Sequence, residues 1–309
     1  MVVTELAKSE DLAVFAAVVK YKSLSRAADA LRLPQSVVTR RVQSLEDSLG
    51  VQLFDRNTKP LRPSQLGLRV YGQCRSMLQQ FEVLKELVAT SGNPSGTMRI
   101  GVPQFISESI LIELIQCLRT KFPELRIEVT SNLSPTLLLG VEEGDLDAAL
   151  VLGPFFPAVS SRVVGKALGS FDMEVVAAKG DLGQRPHTLR EICDRGWILN
   201  PGICGFRQSL EKLLVAKGLP LKVNLDVFGT EVHLGLVANG MGLGLIPARL
   251  FTKSLHYAHV QPLKLTDFKM RHKLWLVRPS MQGCLTGAVM ELGMLVQQRF
   301  RATQAFVDK

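Results

Sequence analysis

The chain has 309 residues, enough for two domains or one large one, and a formal net charge of +9. With 46% hydrophobic and 21% charged residues it can bury a core, which excludes an intrinsically disordered protein. No run of 18 or more residues is purely apolar, and the first ten residues include acidic ones. The sequence therefore predicts neither a transmembrane helix nor a signal peptide. The basic charge favours a polyanionic partner.

The five cysteines are widely spaced and form no Cys-x-x-Cys pair. Their odd number and spacing argue against a disulfide framework or a zinc ribbon and indicate reduced thiols in a cytoplasmic protein. His256 and His259 have a spacing that metal ligands can have, but no further His or Cys cluster accompanies them. We therefore expect no metal and no cofactor.

Residues 1–62 have the pattern of three short helices followed by a loop. In the first helix, apolar residues recur at the spacing of one buried face. Ser25 is expected to cap a second helix over 26–31, and a third helix is expected over 35–48, with Gly50 at its end. A short strand over 51–54 and an exposed basic loop or wing over 55–64 would follow.

The third helix has two different faces. One side carries Val38, Val42, Leu45 and Leu49, which can pack on the first two helices. The other side carries side chains that can bind phosphates and base edges in a DNA major groove, namely Ser36, Thr39, Arg40 and Gln43. The pattern alone leaves two alternatives open, a DNA-reading helix and an ordinary amphipathic surface helix.

A longer helix is predicted over 64–91. Its apolar residues step by four and three, the spacing of a helix-pairing seam, at Val70, Cys74, Met77, Phe81, Leu84 and Val88. The seam could pack on its own domain or on a second copy of the chain. We favour a dimer helix, because little chain precedes it to cover so long a seam. Residues 91–97 (SGNPSGT) form a linker.

After the linker, short apolar strands alternate with amphipathic helices as far as about residue 277. This alternation predicts a mostly parallel α/β sheet, built as one large domain or as two lobes. Strands are expected over 98–102, 125–131, 148–152, 173–179, 223–228, 244–246 and 274–277, and helices over 108–121, 136–143, 206–217 and 232–239.

Three segments of the N-terminal part together resemble the helix-turn-helix of LysR-type transcription regulators. They are residues 23–31 (SLSRAADAL), 34–42 (PQSVVTRRV) and 45–56 (LEDSLGVQLFDR), in the order the family has them. The resemblance implies a winged helix-turn-helix DNA-binding domain over 1–63, a linker and dimerisation helix over 64–91 and a hinge over 92–97.

The resemblance also implies which residues meet double-stranded DNA. The recognition helix would present Gln35, Ser36, Thr39, Arg40 and Gln43. Other contacts would come from Ser25, Arg26, Arg56, Lys59 and Arg62. Two positions depart from the family pattern. Pro34 replaces a capping hydroxyl, although proline suits the start of a helix, and Pro63-Ser64 replaces Leu-Thr, where Ser64 can still cap.

The remainder resembles the LysR effector domain, whose architecture is that of periplasmic solute-binding proteins. The matching segments are residues 144–150 (GDLDAAL) and 237–247 (VANGMGLGLIP). The resemblance implies an α + α/β chain whose effector-binding domain, 98–309, has two lobes joined by crossing strands. Lobe one would comprise 98–163 and 267–309, and lobe two 164–266, with a small-molecule effector between them.

The cleft of such a domain is built from turns between strands and helices, and free N–H groups at helix N-termini suit a carboxylate. Glu231 would oppose a simple anion, which leaves a zwitterion or an uncharged group open. Each turn could also be an ordinary one, and Cys204 could be redox-sensitive or simply buried. The residues expected to bind effector are Pro103, Gln104, Phe105, Ser131, Asn132, Gly202, Ile203, Cys204, Gly205, Phe206, Thr230 and Glu231.

These observations predict a sequence-specific transcription regulator and not an enzyme, because no catalytic constellation is present. By the resemblance it would act as a homodimer or homotetramer, with RNA polymerase as a further candidate partner and no membrane association. The alternative is a solute-binding or enzymatic α/β protein whose N-terminal helices serve only for oligomerisation.

Overall fold

The computed structural model describes residues 8–55, 58, 61–88, 94–154, 162–248 and 254–305. The chain divides into two compact units, Met1–Ser91 and Gly92–Lys309, called here the N-terminal and C-terminal units. Within the described residues, no helix has the length and apolar character needed to cross a membrane.

The N-terminal unit is a bundle of helices with a two-stranded ribbon. Its elements are α1 (Ser9–Tyr21), α2 (Leu24–Leu31), α3 (Gln35–Leu49), β1 (Phe54–Asp55), β2 (Arg62–Pro63) and α4 (Gln65–Val88). The two strands pair antiparallel, as in a wing. The core holds the fully buried side chains of Phe15, Val18, Ala27, Val38, Leu45 and Leu53.

Two local predictions in this unit are wrong. Ser25 does not cap α2, because the helix begins earlier and the Ser23 hydroxyl accepts the backbone N–H of Arg26 at 3.3 Å. The strand expected over 51–54 is reduced to Phe54–Asp55. The reason is that the Glu46 carboxylate accepts the backbone N–H groups of Leu53 and Phe54, at 2.6 and 3.3 Å.

Helix α4 begins at Gln65, and Ser64 caps it as expected, because its hydroxyl accepts the N–H of Gly67 at 2.9 Å. The apolar seam along α4 then divides into two parts. Cys74 is buried in the core of its own unit, with Val70 packed against the same core. Three later seam residues are exposed, Met77 (56%), Phe81 (43%) and Leu84 (56%).

The C-terminal unit is built on one mixed sheet. Within the described residues its strands follow the order β4-β3-β5-β11-β6-β9-β7-β8, with β10 also paired to β6. The strands are β3 (Gly96–Val102), β4 (Leu125–Ser131), β5 (Ala148–Gly153), β6 (Val163–Ala178), β7 (Trp197–Leu199), β8 (Val223–Asp226), β9 (Leu243–Pro247), β10 (Val260–Pro262) and β11 (Arg271–Pro279).

The helices that flank this sheet are α5 (Gln104–Ser109), α6 (Leu111–Lys121), α7 (Ser134–Glu142), α8 (Leu189–Ile192), α9 (Gly205–Ala216), α10 (Thr230–Ala238) and α11 (Thr286–Ala305). The single helix expected over 108–121 is two helices. The chain breaks at Ile110, whose φ of −133° and ψ of −2° are not helical.

One strand, β6, passes through both halves of the sheet. β3, β4 and β5 are parallel at one end, and β7, β8 and β9 are parallel at the other. Between them β6 pairs antiparallel with β11 and then with β9, and β11 pairs antiparallel with β5. The expected parallel sheet is therefore present at both ends and interrupted by antiparallel strands in the middle.

Two large hydrophobic cores flank these central strands. One contains Met98, Leu118 and Leu292, and the other contains Met173, Trp197 and Leu214. We call the parts around them the first and the second lobe. Phe171, on β6, packs against both cores.

Candidate functional site

The recognition helix α3 presents the expected polar face. Its apolar residues Val38, Val42 and Leu45 are at most 7% exposed and belong to the core shared with α1 and α2. The prediction is wrong for Leu49, which is 45% exposed, because it ends the helix beyond that core. The side chains expected to meet DNA from this helix are all exposed, namely Gln35, Ser36, Thr39, Arg40 and Gln43. Two of them are already engaged along the helix. The Thr39 hydroxyl donates to the carbonyl of Gln35, and the Gln43 amide donates to Asp47.

The remaining candidate DNA contacts lie on neighbouring elements. Ser25 and Arg26, in the first turn of α2, and Arg62, on β2, are exposed. Arg56 and Lys59 lie outside the described residues.

Arg41 follows Arg40 in sequence but faces the protein. It donates to the buried carboxylate of Asp11 at 2.9 Å and forms an ion pair with Glu10, both on α1. These hydrogen bonds, first that to Asp11 and then that to Glu10, raise the pKa of the Arg41 guanidinium. Arg41 therefore holds α3 against α1, and Arg40 is the exposed cation of the pair on the outer face.

The buried carboxylate of Glu46 was missed as a functional group from the sequence. It is 6% exposed and binds the two backbone amides that begin the ribbon β1–β2. It thereby fixes the start of the ribbon relative to α3. The sequence did contain a signal for this role, because Glu46 lies on the apolar side of the helix, three residues before its C-terminus.

The C-terminal unit contains a cleft at the carboxyl ends of its parallel strands. This edge, where the connections of two half-sheets diverge, is where open α/β sheets bind ligands. The cleft contains about 690 Å³ of space, its open mouth included. It is lined by Pro103, Gln104, Phe105, Asn132, Leu133, Ser134, Leu152, Asn200, Cys204, Gly205, Phe206, Gly229, Thr230, His233, Leu245, Ile246 and Pro247.

Eight of the residues expected to bind effector line this cleft: Pro103, Gln104, Phe105, Asn132, Cys204, Gly205, Phe206 and Thr230. Four others do not belong to its lining: Ser131, Gly202, Ile203 and Glu231. The Glu231 carboxylate instead accepts the Ser254 hydroxyl at 3.0 Å and the Leu255 N–H at 3.2 Å. It serves the turn at 254–255.

Four helix N-termini meet at the cleft. The N-cap residues of α5, α7, α9 and α10 are Pro103, Leu133, Cys204 and Gly229, and all four line it. None of the four N-caps supplies a side-chain hydrogen bond to its helix. A missing side-chain cap is not confined to the cleft, because α1, α3 and α6 also lack one, whereas α2 and α8 are capped by Ser23 and Thr188. The first N–H groups of these four helices thus carry a partial positive charge toward one cavity.

His233 is a cleft residue that sequence reasoning missed. It is 5% exposed, and burial lowers its pKa to about 4, while a hydrogen bond to the backbone of Ile198 acts in the opposite direction. Its Nε2 atom has no hydrogen-bond partner within the described part of the chain. The imidazole is therefore neutral near neutral pH.

Comparison with known proteins identifies the family. Residues 9–68 match the model of the bacterial regulatory helix-turn-helix protein, lysR family, and residues 91–283 match that of the LysR substrate binding domain. The chain belongs to the LysR family of transcription regulators. The expected fold of winged helix-turn-helix, linker helix and two-lobed domain is confirmed, and the regulator is a DNA-binding protein and not an enzyme.

Relatives of the regulator cover almost the whole chain. The "Uncharacterized HTH-type transcriptional regulator YeiE" of Escherichia coli K12 is 26% identical over 86% of this chain and 89% of its own. Full-length OxyR from Pseudomonas aeruginosa, solved as a point variant, has a TM-score of 0.77 at 19% identity, with 94% of each chain covered. Full-length CbnR, solved with its target DNA, has a TM-score of 0.59 at 18% identity, covering 94% and 99%.

Proposed function

We propose that the regulator reads its operator with α3, and that a small molecule in the cleft of the C-terminal unit modulates this binding. The exposed polar face of α3, opposite a buried apolar one, supports the first part. We assign base and phosphate contacts to Ser25, Arg26, Gln35, Ser36, Thr39, Arg40, Gln43, Arg56, Lys59 and Arg62.

The effector is proposed to bind through a carboxylate or another acceptor group. The observation that carries this proposal is the meeting of four uncapped helix N-termini at one cavity, since such N–H groups bind anions. The engagement of Glu231 with Ser254 and Leu255 removes the reason for preferring a zwitterion. An effector would shift the regulator between states only through different affinities for them.

Assembly is proposed to use the second half of the α4 seam. Met77, Phe81 and Leu84 are exposed in the single chain, and a matching helix of a second copy would cover them. A homodimer would place two α3 helices on two half-sites, and a homotetramer would span two such sites. We place the regulator in the cytoplasm, where its DNA partner is, and RNA polymerase remains a candidate partner.

The domain bounds follow as part of the same proposal. The DNA-binding domain would comprise 1–63, the linker helix 64–91, the hinge 92–97 and the effector domain 98–309. The last two hinge residues, Gly96 and Thr97, already belong to β3, where they pair with β4. Lobe one would comprise 98–163 and 267–309, and lobe two 164–266.

The test is a mobility-shift assay with the DNA upstream of the regulator's own gene. Near-physiological salt and excess competitor DNA are needed, because a basic protein binds any DNA weakly. A discrete shift that survives competitor, and whose midpoint moves when small carboxylates are added, is the expected result. A protein that binds a metabolite but shows no specific DNA site in a genome-wide selection would contradict the proposal.

A further inference from the structure

His272 is a buried histidine beneath the cleft. It lies on β11, opposite Phe171 of β6 in the strand register, and it is 1% exposed. Neither of its ring nitrogens has a hydrogen-bond partner within the described residues. A neutral imidazole has one donor and one acceptor, so burying both without partners is unfavourable. A partner for these nitrogens is therefore expected in some state of the protein.

A cluster of three phenylalanine rings lies between the cleft and the surroundings of His272. Phe105, from α5 of the first lobe, and Phe206, from α9 of the second, both line the cleft with ring centroids 6.5 Å apart. Both rings contact Phe171, at 5.9 and 6.1 Å. Phe206 also meets His272 edge to face at 4.9 Å. One ring, that of Phe206, thus stands between the unpaired imidazole and the cavity.

The surroundings of His272 define what can reach it. The Phe171 ring lies nearly parallel to the imidazole, with ring centroids 6.3 Å apart, and the Phe206 ring meets the imidazole edge to face. If the Phe206 ring moved away, another flat aromatic ring could take its place. Burial lowers the pKa of His272 to about 4, so the imidazole is neutral and provides no counter-charge. An uncharged group that both donates and accepts satisfies it better than an ion does.

We propose that His272 forms a hydrogen-bonding subsite beneath the cleft, which takes an uncharged aromatic ring bearing a hydroxyl group when the Phe206 ring moves aside. The subsite rests on the proposed function, because its occupant is the effector of the cleft. The phenolic end of that effector reaches His272, and its other end faces the helix N-termini.

The test uses 4-fluorophenol and 4-fluorotoluene as probes, because they share the ring and differ in the hydroxyl. Fluorine NMR follows binding to two full-length variants. They are F206A, in which the Phe206 ring no longer covers His272, and F206A/H272L. The affinity for 4-fluorophenol, divided by the affinity for 4-fluorotoluene, is expected to fall about fivefold when His272 is replaced. This is the effect of losing one hydrogen bond. An equal ratio in both variants would overturn the subsite.

Two further measurements keep the result interpretable. In F206A, replacing His259 by Gln, which changes an exposed histidine outside the cleft lining, is expected to leave the ratio unchanged. If F206A/H272L does not fold, the nitrogen chemical shifts of His272 in the wild-type chain decide the matter. They are expected to move on addition of 4-fluorophenol and to stay fixed with 4-fluorotoluene. Unmoved shifts would mean that trapped water satisfies the imidazole, which overturns the proposal.

The DNA assay separates this inference from the proposed function. A wild-type protein that binds its operator but shows no phenol preference refutes the subsite alone. A wild-type protein that shows no specific DNA binding refutes the proposed function, whether or not it binds the two probes.

Discussion

Gly67 lies so close to the backbone carbonyl of Leu53 that a Cβ atom on it would fall 2.0 Å from the oxygen. The glycine therefore lets the first turn of α4 pack directly on the chain that leads into the ribbon. We predict that G67A destabilises the N-terminal unit by at least about 2 kcal/mol, because backbone must move to admit the methyl group. Thermal unfolding measures the effect.

Gly72 provides the matched control for this change. It is on the same helix, and a Cβ there would have no atom within 4 Å. G72A should stabilise the helix by up to about 1 kcal/mol, since alanine is the better helix former. Equal effects of the two substitutions would show that the contact between Gly67 and Leu53 does not constrain the fold.

Adjacent arginines should separate DNA binding from stability. R40A removes an exposed cation from the outer face of α3 and should weaken specific DNA binding about tenfold to a hundredfold while unfolding remains unchanged. R41A leaves the buried carboxylate of Asp11 with only the Ser44 hydroxyl, at 3.4 Å, and should lower the free energy of unfolding by about 1–2 kcal/mol. DNA titration and denaturant unfolding of both variants test the pair. A loss of stability in R40A and not in R41A would contradict the assignment.

Stability should fall in acid because two histidines are buried in the neutral form. Burial lowers the pKa values of His233 and His272 to about 4, against 6.5 for the free side chain. The unfolded chain therefore binds protons between pH 6.5 and 4 that the folded chain does not, and stability decreases as the pH falls through this window. Relative to pH 8, each histidine should cost about 2 kcal/mol at pH 5.

Urea unfolding at pH 8 and pH 5 measures this dependence, and H272L should remove about 2 kcal/mol of it. Replacing the exposed His259 by Gln changes no buried imidazole and serves as the control. Glu174 acts in the opposite direction, because burial raises the pKa of its carboxyl. A stability difference that is the same with and without His272 would refute the prediction.

The exposed half of the α4 seam should control self-association. Replacing Met77 and Leu84 together by Lys puts two like charges on the proposed interface and should raise the dimer dissociation constant at least about tenfold. Replacing Met77 by Leu keeps the side chain apolar and should leave association intact. Analytical ultracentrifugation compares the two, and an unchanged mass for the double-lysine variant would place the interface elsewhere.

The sequence predicted those parts of the fold that depend on local patterns. The two faces of α3 follow from the helical spacing of Val38, Val42 and Leu45, and Ser64 could be identified as a cap from its type and position. The first half of β6 was missed, because glycines and Lys166 interrupt the alternation of its apolar residues. A strand of this kind is fixed by its pairing with β11, about a hundred residues away, which no local pattern reveals.

The same reason explains which site residues were found. Phe105, Cys204 and Phe206 come directly after strands or at helix starts, where cleft residues are expected. His233 lies one turn into α10, and His272 lies at the start of a central strand. In the sequence, a lone histidine among apolar neighbours indicates only a buried core residue. Their importance depends on burial and unpaired nitrogens, which are properties of the tertiary structure.

The strand β6 belongs to both lobes, because its first half pairs with β11 and its second half with β9, so the lobes share one continuous hydrogen-bonded strand. Its pairing with β11 shifts register between Leu274 and Trp275, an irregularity that locally disrupts the ladder and increases the twist of the strands. An effector that turns one lobe relative to the other must therefore twist β6. The angle of the turn, and its free-energy cost, depend on this strand as well as on the effector.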